Sequence, residues 1–171
     1  MGLSSLTIAL ERRAYTALRA QADRREAGRE LQFGRNSKPP HLLTGERGED
    51  AAFFHLRSLG YTIVARRWRS QRIAGDLDLV AWDGPTLVIF EIKARTAHDF
   101  APAAAEVDPH KQRILRRMAS AYLRQLPESN RASVPLRFDI LSVYLLPGNT
   151  EFEHLRDAFS RTEPGIRSGI D

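Results

Sequence analysis

The 171-residue chain contains no cysteine and no long uninterrupted hydrophobic run. Without cysteine there is no disulfide framework and no thiolate-ligated zinc or iron–sulfur site, and this composition fits a reducing cytoplasm. No stretch approaches the roughly 18 apolar residues of a membrane-spanning helix, and the N-terminus lacks the basic-then-apolar order of a secretory signal. We therefore expect a cytoplasmic protein without a membrane segment. The length and the 42% hydrophobic content predict one domain with a single core.

The charge of the chain is basic but unevenly distributed. The net charge is +5 and the sequence pI is about 10.1, which favours a polyanionic partner such as nucleic acid. Residues 1–40 hold eight basic and four acidic side chains, so they account for +4 of that charge and leave +1 for the rest. A nucleic-acid function of the main domain must therefore depend on where individual basic residues lie.

The first forty residues predict a separate N-terminal extension. Apolar residues at near-helical spacing between Ser4 and Leu31 indicate an amphipathic helix with a thin apolar face, and Pro39 and Pro40 mark a linker. This extension suits either a loosely docked tail or a DNA-binding or regulatory arm, and the pattern leaves both open. We expect the main domain over residues 41–162 and a loose tail over residues 163–171.

The main domain predicts an α/β fold, with a mixed central sheet flanked by helices in the order helix, three strands, helix, strand. Thr44 is the candidate N-cap of the first helix, and Gly60 followed by Tyr61 suits a Schellman-type C-cap. Asp108 and Pro109 predict the start of the second helix. The expected buried stripe of the first helix is Ala52, Phe53, Leu56 and Leu59, and the expected strands are Tyr61–Trp68, Gly75–Trp82, Leu87–Lys93 and Leu136–Leu146.

The second and third strands predict an antiparallel hairpin around a turn at residues 83–86. Pro85 favours a loop longer than two residues. If residues 83–86 all lie in the loop, Trp82 pairs with Leu87 and counting places Asp78 opposite Glu91; with a two-residue loop we expect Asp76 there instead. A slip by two residues preserves the side-chain face, so the acids share one face of the hairpin in either register.

Four residues on these elements carry the candidate chemistry: Glu49, Asp78, Glu91 and Lys93. Two carboxylates that converge on one face can hold Mg²⁺ or Mn²⁺, because these hard cations prefer oxygen ligands. Such an ion can neutralise charge on a phosphate and activate water for hydrolysis, and Lys93, on the same strand face as Glu91, can hold or deprotonate that water. A nuclease needs such an ion, but an Asp followed about a dozen residues later by Glu-x-Lys is by itself a common pattern.

The alternative is a solvated hairpin face on which Glu91 and Lys93 form a weak surface pair. Glu91 ends the apolar run Leu87–Phe90, which is typical of a strand covered on both faces, where unpaired charges cost several kcal/mol. Charges at the end of a buried strand therefore indicate a pocket or a ligand.

Several segments occur together in the order and near the spacing of a known family. These are Gly48-Glu49-Asp50-Ala51-Ala52, Leu59-Gly60-Tyr61, Trp68-Arg69, Gly75 to Ala81, Phe90 to Arg95, Lys111 and Arg137-Phe138-Asp139-Ile140. On these residues, Gly45 to Phe159 resembles the YraN family, uncharacterised bacterial proteins of the restriction-endonuclease-like PD-(D/E)XK superfamily, similar in core to archaeal Holliday-junction resolvases. Asp76 stands where the family usually has Glu, the loop from Arg69 to Gly75 is slightly longer, and residues 1–40 have no counterpart.

The resemblance implies a restriction-endonuclease-like αβββαβ core and a set of site residues. It implies metal ligation by Asp78, Glu91 and the Ile92 carbonyl, a supporting acid at Glu49 and a catalytic lysine at Lys93. The candidate nucleic-acid contacts are Arg66, Arg67, Arg69, Arg95 and Lys111, although arginines at strand ends and on helices are equally typical of solvated surface. Trp68 could stack on a base, whereas core packing is the more common role of a lone tryptophan. The histidines show no metal-ligand spacing.

We therefore expect a Mg²⁺- or Mn²⁺-dependent endonuclease acting on DNA, with structured or branched DNA as the substrate class. Two alternatives remain open at this stage: a non-catalytic nucleic-acid-binding module of the same fold, and an interaction scaffold that docks through its N-terminal helix. The sequence is compatible with a homodimer and does not establish one.

Overall fold

The computed structural model describes Ala14 and residues 40–98, 107–128 and 133–162. The elements are helix α1 (Pro40–Ser58), strands β1 (Thr62–Trp68), β2 (Leu77–Asp83) and β3 (Thr86–Arg95), helix α2 (Pro109–Leu123), and strands β4 (Leu136–Leu146) and β5 (Asn149–Leu155). The predicted extension before residue 40, apart from Ala14, and the predicted tail after residue 162 lie outside the described residues. Neither described helix is long and apolar enough to span a bilayer.

One five-stranded sheet in the order β1-β2-β3-β4-β5 organises the chain. Neighbouring strands are antiparallel except β3 and β4, which run parallel and are connected through α2. A parallel pair needs such a crossover because the chain must return to the same end of the sheet. The predicted mixed sheet with flanking helices is confirmed, and residues 149–155 add a fifth strand at its edge.

The two faces of the sheet bury two separate apolar cores. On the α1 side, Leu56 packs with Leu79, Val88 and Phe90. On the α2 side, Leu115 and Met118 of the helix pack with sheet residues that include Val80, Ile89, Phe138 and Ile140. Burial of each large apolar side chain in these cores contributes about 1.5–3 kcal/mol to the free energy of folding. The apolar residues of β3 alternate between these two cores, which explains why its sequence is a continuous apolar run.

Helix α1 differs from the prediction at both ends. It begins at Pro40, a residue type favoured in the first helical turn, so Thr44 lies inside the helix and is not its N-cap. Of the predicted buried stripe, Ala52 and Leu56 are buried and Phe53 is partly buried, whereas Leu59, just beyond the helix end at Ser58, is 57% exposed; Phe54 is buried instead. The predicted C-cap is confirmed: Gly60 has φ +94°, and the N–H of Tyr61 donates to the carbonyl of Leu56 at 3.1 Å.

The β2–β3 hairpin has the predicted pairing of Trp82 with Leu87. Asp83 pairs with Thr86, so the loop holds only Gly84 and Pro85, and the expectation that proline lengthens it is wrong. Gly84 has φ +56°, a conformation that glycine adopts at little cost and that allows the short turn.

Helix α2 begins as the sequence predicts. The side chain of Asp108 accepts a hydrogen bond from the N–H of Lys111 at 2.8 Å, and Pro109 follows in the first turn. This cap fixes the start of the helix, and with it the position of Lys111 in the first turn.

Candidate metal and nucleic-acid site

Asp78 and Glu91 lie next to each other on the α2-side face of the sheet. The ladder between β2 and β3 runs from Asp83 and Thr86 to Leu79 and Phe90, so Asp78 and Glu91 follow one residue beyond its last pair. Alternation along β3 puts Glu91 and Lys93 on the face of Ile89, and the charges of Glu91 and Lys111 act on Asp78, so its carboxylate lies on the same side. The register therefore brings both acids and the lysine to one face.

Asp78 is a half-buried acid beside a second acid, Glu91. Its Oδ2 accepts a hydrogen bond from the N–H of Ile92 at 2.8 Å. Burial, and then the charge of Glu91, raise the pKa of Asp78 to about 7, although the Ile92 hydrogen bond and Lys111 act to lower it; Glu49 adds a smaller raising effect. A cation placed between the two acids would relieve this destabilisation of the ionised form.

Glu91 is 4% exposed and has one lysine at each of its carboxylate oxygens. Nζ of Lys93 lies 3.2 Å from Oε1, and Nζ of Lys111 lies 3.0 Å from Oε2. Oε2 is buried, and the ammonium of Lys111 is the cation that faces it. Burial acts to lower the pKa of Lys111, but attraction and a hydrogen bond to Glu91, and then the charges of Asp78 and Asp76, raise it.

Glu49 lies on α1 and is held by an arginine of β1. Its Oε2 accepts a short charge-assisted hydrogen bond from Nε of Arg67. Arg67 has φ +47°, a left-handed conformation that is unfavourable for residues other than glycine, asparagine and aspartate. The helix comes very close to β3 here, because a Cβ built on Gly48 would lie 2.3 Å from Cβ of Ala94. Glu49 therefore has a fixed place near the acids, with its charge balanced by Arg67.

The predicted nucleic-acid contacts are in very different environments. Arg66 pairs with Asp50 of α1, and Arg95 is 7% exposed with its guanidinium 5.9 Å from the ring centroid of Tyr144. Arg69 has a side chain that is 76% exposed and lies 3.6 Å from Asp76. An open cavity of about 320 Å³ beside it is lined by Arg69, Ser70, Ile73, Ala74, Gly75 and Asp76. Arg69 is thus the most accessible of the three, whereas Arg95 is within the fold.

Trp68 packs within the domain, edge to face with Tyr122 at 5.3 Å between ring centroids. This contact and its partial burial against the α2-side core fit a structural role.

Sequence reasoning missed a second buried polar cluster, on the α1 side of the sheet. Asp139, 1% exposed, accepts hydrogen bonds from Nε of Arg137 at 2.8 Å, from the N–H of Asp157 at 2.9 Å, and pairs with Nε2 of His154 at 2.8 Å. Hydrogen bonds from His154 and Arg137 lower the pKa of Asp139 even though burial acts to raise it. The cluster is saturated with internal partners, which indicates a structural role. The only sequence signal was Arg137-Phe138-Asp139-Ile140, which carries no chemistry by itself.

The donors at the site fit a hard divalent cation. Within residues 40–98, 107–128 and 133–162, no group of three or more acidic or histidine side chains converges as a ready-made metal cage. Mg²⁺ commonly uses one or two carboxylates and completes its shell with water and substrate phosphate. Asp78 and Glu91 supply two carboxylates, and the poorly bonded Oε2 of Glu91 supplies an oxygen whose need for a cation is only partly met. The third expected ligand, the carbonyl of Ile92, is implied only by the resemblance to the YraN family.

Fold and site together define a class of protein: an α/β domain with a restriction-endonuclease-like core that carries two carboxylates and a lysine on one face of its sheet. The model of Uncharacterised protein family UPF0102 matches residues 48–143. A UPF0102 protein of Koribacter versatilis is 47% identical over 122 residues, covering 71% of this chain and 82% of its own. A second UPF0102 protein, from Rhodococcus opacus, is 38% identical over 120 residues, which cover 70% of this chain and 98% of the relative. The chain belongs to UPF0102, the YraN family, and the matched residues include the whole candidate site.

Proposed function

We propose that this protein is a Mg²⁺- or Mn²⁺-dependent nuclease that hydrolyses phosphodiester bonds in DNA. The observation that carries the proposal is the pair of adjacent carboxylates, Glu91 buried and Asp78 half-buried, with Lys93 Nζ 3.2 Å from Glu91 Oε1. An acid whose ionisation is disfavoured, as that of Asp78 is, is costly to a fold unless a ligand uses it, and such groups concentrate at functional sites.

Each residue of the site has a chemical role in this proposal. Asp78 and Glu91 would hold the divalent ion, which supplies Lewis-acid stabilisation of charge on the phosphate and makes water easier to deprotonate. Lys93 orients the attacking water and can take part in moving its proton. Glu49, kept in place by Arg67, adds negative charge near Asp78 and supports cation binding.

The DNA strand would approach over the α2-side face, past the cavity beside Arg69. The loop that lines this cavity packs close to α2, since a Cβ built on Gly75 would lie 3.0 Å from Ile114. Arg69 is exposed and can reach a phosphate without losing a buried partner. We leave Arg95 out of this surface because it is buried. The likeness of the core to junction resolvases makes branched DNA the first substrate class to test.

The test is cleavage of single-stranded, duplex, flap and four-way DNA by the full chain with Mg²⁺, with Mn²⁺ or with EDTA. Lys93→Met and Asp78→Asn should each lower the rate by about 10²- to 10⁴-fold, because each removes a group that acts on the reacting atoms or their ion. Arg124→Met is the control: it also removes a positive charge, but at the C-terminal end of α2.

Equal activity in the wild type and in both site variants would contradict the proposal. Salt-dependent DNA binding by the wild type with no metal-dependent cleavage of any substrate would instead favour the non-catalytic binding module.

A further inference from the structure

Lysine is rare in this chain, and two of its three lysines lie at the same carboxylate. Lys38, Lys93 and Lys111 are the only lysines among 26 basic residues, the rest being arginine. Lys93 and Lys111 each approach one oxygen of Glu91, whereas Asp50, Glu49 and Asp139 all pair with arginine. Lysine differs from arginine by carrying a compact, strongly hydrated charge on a flexible stem, so it can occupy and leave a cation position more easily than a planar guanidinium.

The two lysines reach Glu91 from different elements. Lys93 follows two residues later on β3, so the strand that carries Glu91 also fixes Lys93. Lys111 comes from the first turn of α2, where the backbone, not the side chain, is held by Asp108. Lys111 Nζ also lies within electrostatic reach of Asp78, so it is the ammonium that balances both acids. Lys111 therefore occupies an oxygen that a divalent ion bound by Asp78 and Glu91 would need.

We propose that Lys111 is a displaceable internal cation: it neutralises Glu91 in the absence of metal, leaves Oε2 when a divalent ion binds, and then contacts the phosphate of the substrate. This inference rests on the proposed metal site. It assigns Lys111 a role distinct from that of Lys93 and from a general surface contact with DNA.

Two consequences distinguish this role from a passive ion pair. First, Lys111 competes with the metal, so the DNA-free protein binds the ion more weakly than its two carboxylates would allow. Second, a DNA phosphate gives the displaced ammonium a new partner, so DNA and metal should strengthen each other's binding by the same factor. A lysine that only stabilises the fold would produce neither effect.

The test is Mn²⁺ binding to the full-length wild type, Lys111→Met and Lys111→Gln, measured by calorimetry without DNA and again with an uncleavable DNA duplex. Because a charge-assisted contact contributes about 1.5–3 kcal/mol, removing Lys111 should tighten Mn²⁺ binding without DNA by about 10- to 100-fold. Arg124→Met should stay within about twofold of the wild type, since a distant surface charge is screened. The strengthening of Mn²⁺ binding by DNA should shrink in both Lys111 variants.

A second measurement uses only the wild type and so does not depend on the folding of a variant. Amine acylation followed by mass spectrometry can resolve all three lysines, with Lys38 as the reference. Saturation with Mn²⁺ should raise the acylation of Lys111 several-fold relative to Lys38, because the ammonium leaves a buried carboxylate. Unchanged acylation of Lys111 on saturation would overturn the proposal.

The outcomes separate this inference from the proposed function. If Mn²⁺ binds to the wild type and to the Lys111 variants with equal affinity, the metal site stands and the role of Lys111 is refuted. If no protein binds Mn²⁺ at millimolar concentration, the metal site itself fails and the inference fails with it.

Discussion

The pH dependence of folding gives the most direct physical test of the acidic pair. Asp78→Asn keeps an oxygen that can accept the Ile92 N–H but removes the charge whose burial is costly. In the wild type the folded-state pKa is about 7 and the ordinary value is 3.8, so the folded chain holds its proton more tightly than the unfolded chain. The stability that protonation provides is therefore lost as pH rises between about 4 and 7, and it is not regained above 7.

The size of the effect follows from the same two values. The complete shift corresponds to about 4 kcal/mol, of which about 3 kcal/mol falls between pH 5 and pH 8. Without metal, the wild type should lose about 3 kcal/mol more than Asp78→Asn over this interval. At pH 8, Mg²⁺ should restore stability to the wild type and not to the variant, because ligand binding to the folded state alone is stabilising.

The assay is urea unfolding at pH 5 and pH 8, in EDTA and in Mg²⁺, for the wild type, Asp78→Asn and Glu128→Gln. Glu128 is an exposed glutamate, so its variant controls for the loss of one carboxylate and should follow the wild type. Parallel pH profiles for the wild type and Asp78→Asn would refute the argument, since they would mean that Asp78 ionises without penalty in the folded protein.

Three further substitutions test the scaffold that positions the site. Gly48→Ala should cost about 1–3 kcal/mol in urea unfolding because its Cβ would overlap that of Ala94, whereas Gly45→Ala, with open space around it, should be neutral or stabilising by up to about 1 kcal/mol. Asp139→Asn removes the buried carboxylate that accepts from Arg137 and pairs with His154, while Arg137 keeps Asp83 as an anionic partner, so it should cost about 1–3 kcal/mol; a loss below about 0.5 kcal/mol would contradict the structural role of this cluster. Asp108→Ala removes the N-cap of α2 and should lower the unfolding free energy by about 1 kcal/mol, while an unchanged midpoint would show that the cap is dispensable.

The elements whose local signals agreed with the final packing could be predicted from the sequence. Strand β4 has the predicted bounds, and both the C-cap at Gly60 and the N-cap at Asp108 occur where turn chemistry placed them. Counting from the turn gave the observed pairing of Trp82 with Leu87, but from a four-residue loop; the loop holds two residues, and the expectation that a two-residue loop places Asp76 opposite Glu91 is wrong. The start of α1 could not be predicted. Thr44 is an acceptable N-cap in isolation, and the apolar pattern does not reveal the longer helix that begins at Pro40.

The candidate site likewise contains residues whose positions could be predicted from the sequence and contacts that could not. Glu91 and Lys93 lie two residues apart on β3, so alternation placed them on one face, and the antiparallel ladder brings Asp78 of β2 beside Glu91. Lys111 could be named as a basic residue at a helix start, but its contact with Glu91 depends on how α2 packs over the sheet. Periodicity holds no information about that packing. The pairing of Arg67 with Glu49 could not be predicted for the same reason. It joins the edge strand β1 to helix α1, and it depends on how that helix packs against the sheet.

The charges at the site explain why metal and substrate should depend on each other. With Asp78 ionised, the two acids and the two lysines balance, so the DNA-free site is close to neutral and has little net attraction for a cation. A divalent ion leaves it with two excess positive charges in a largely buried setting, which is unfavourable unless an anion follows. In the proposed function a phosphodiester would supply that anion at the place from which Lys111 is displaced. Weak metal binding by the free protein and stronger binding in the presence of DNA would then be two results of one charge balance.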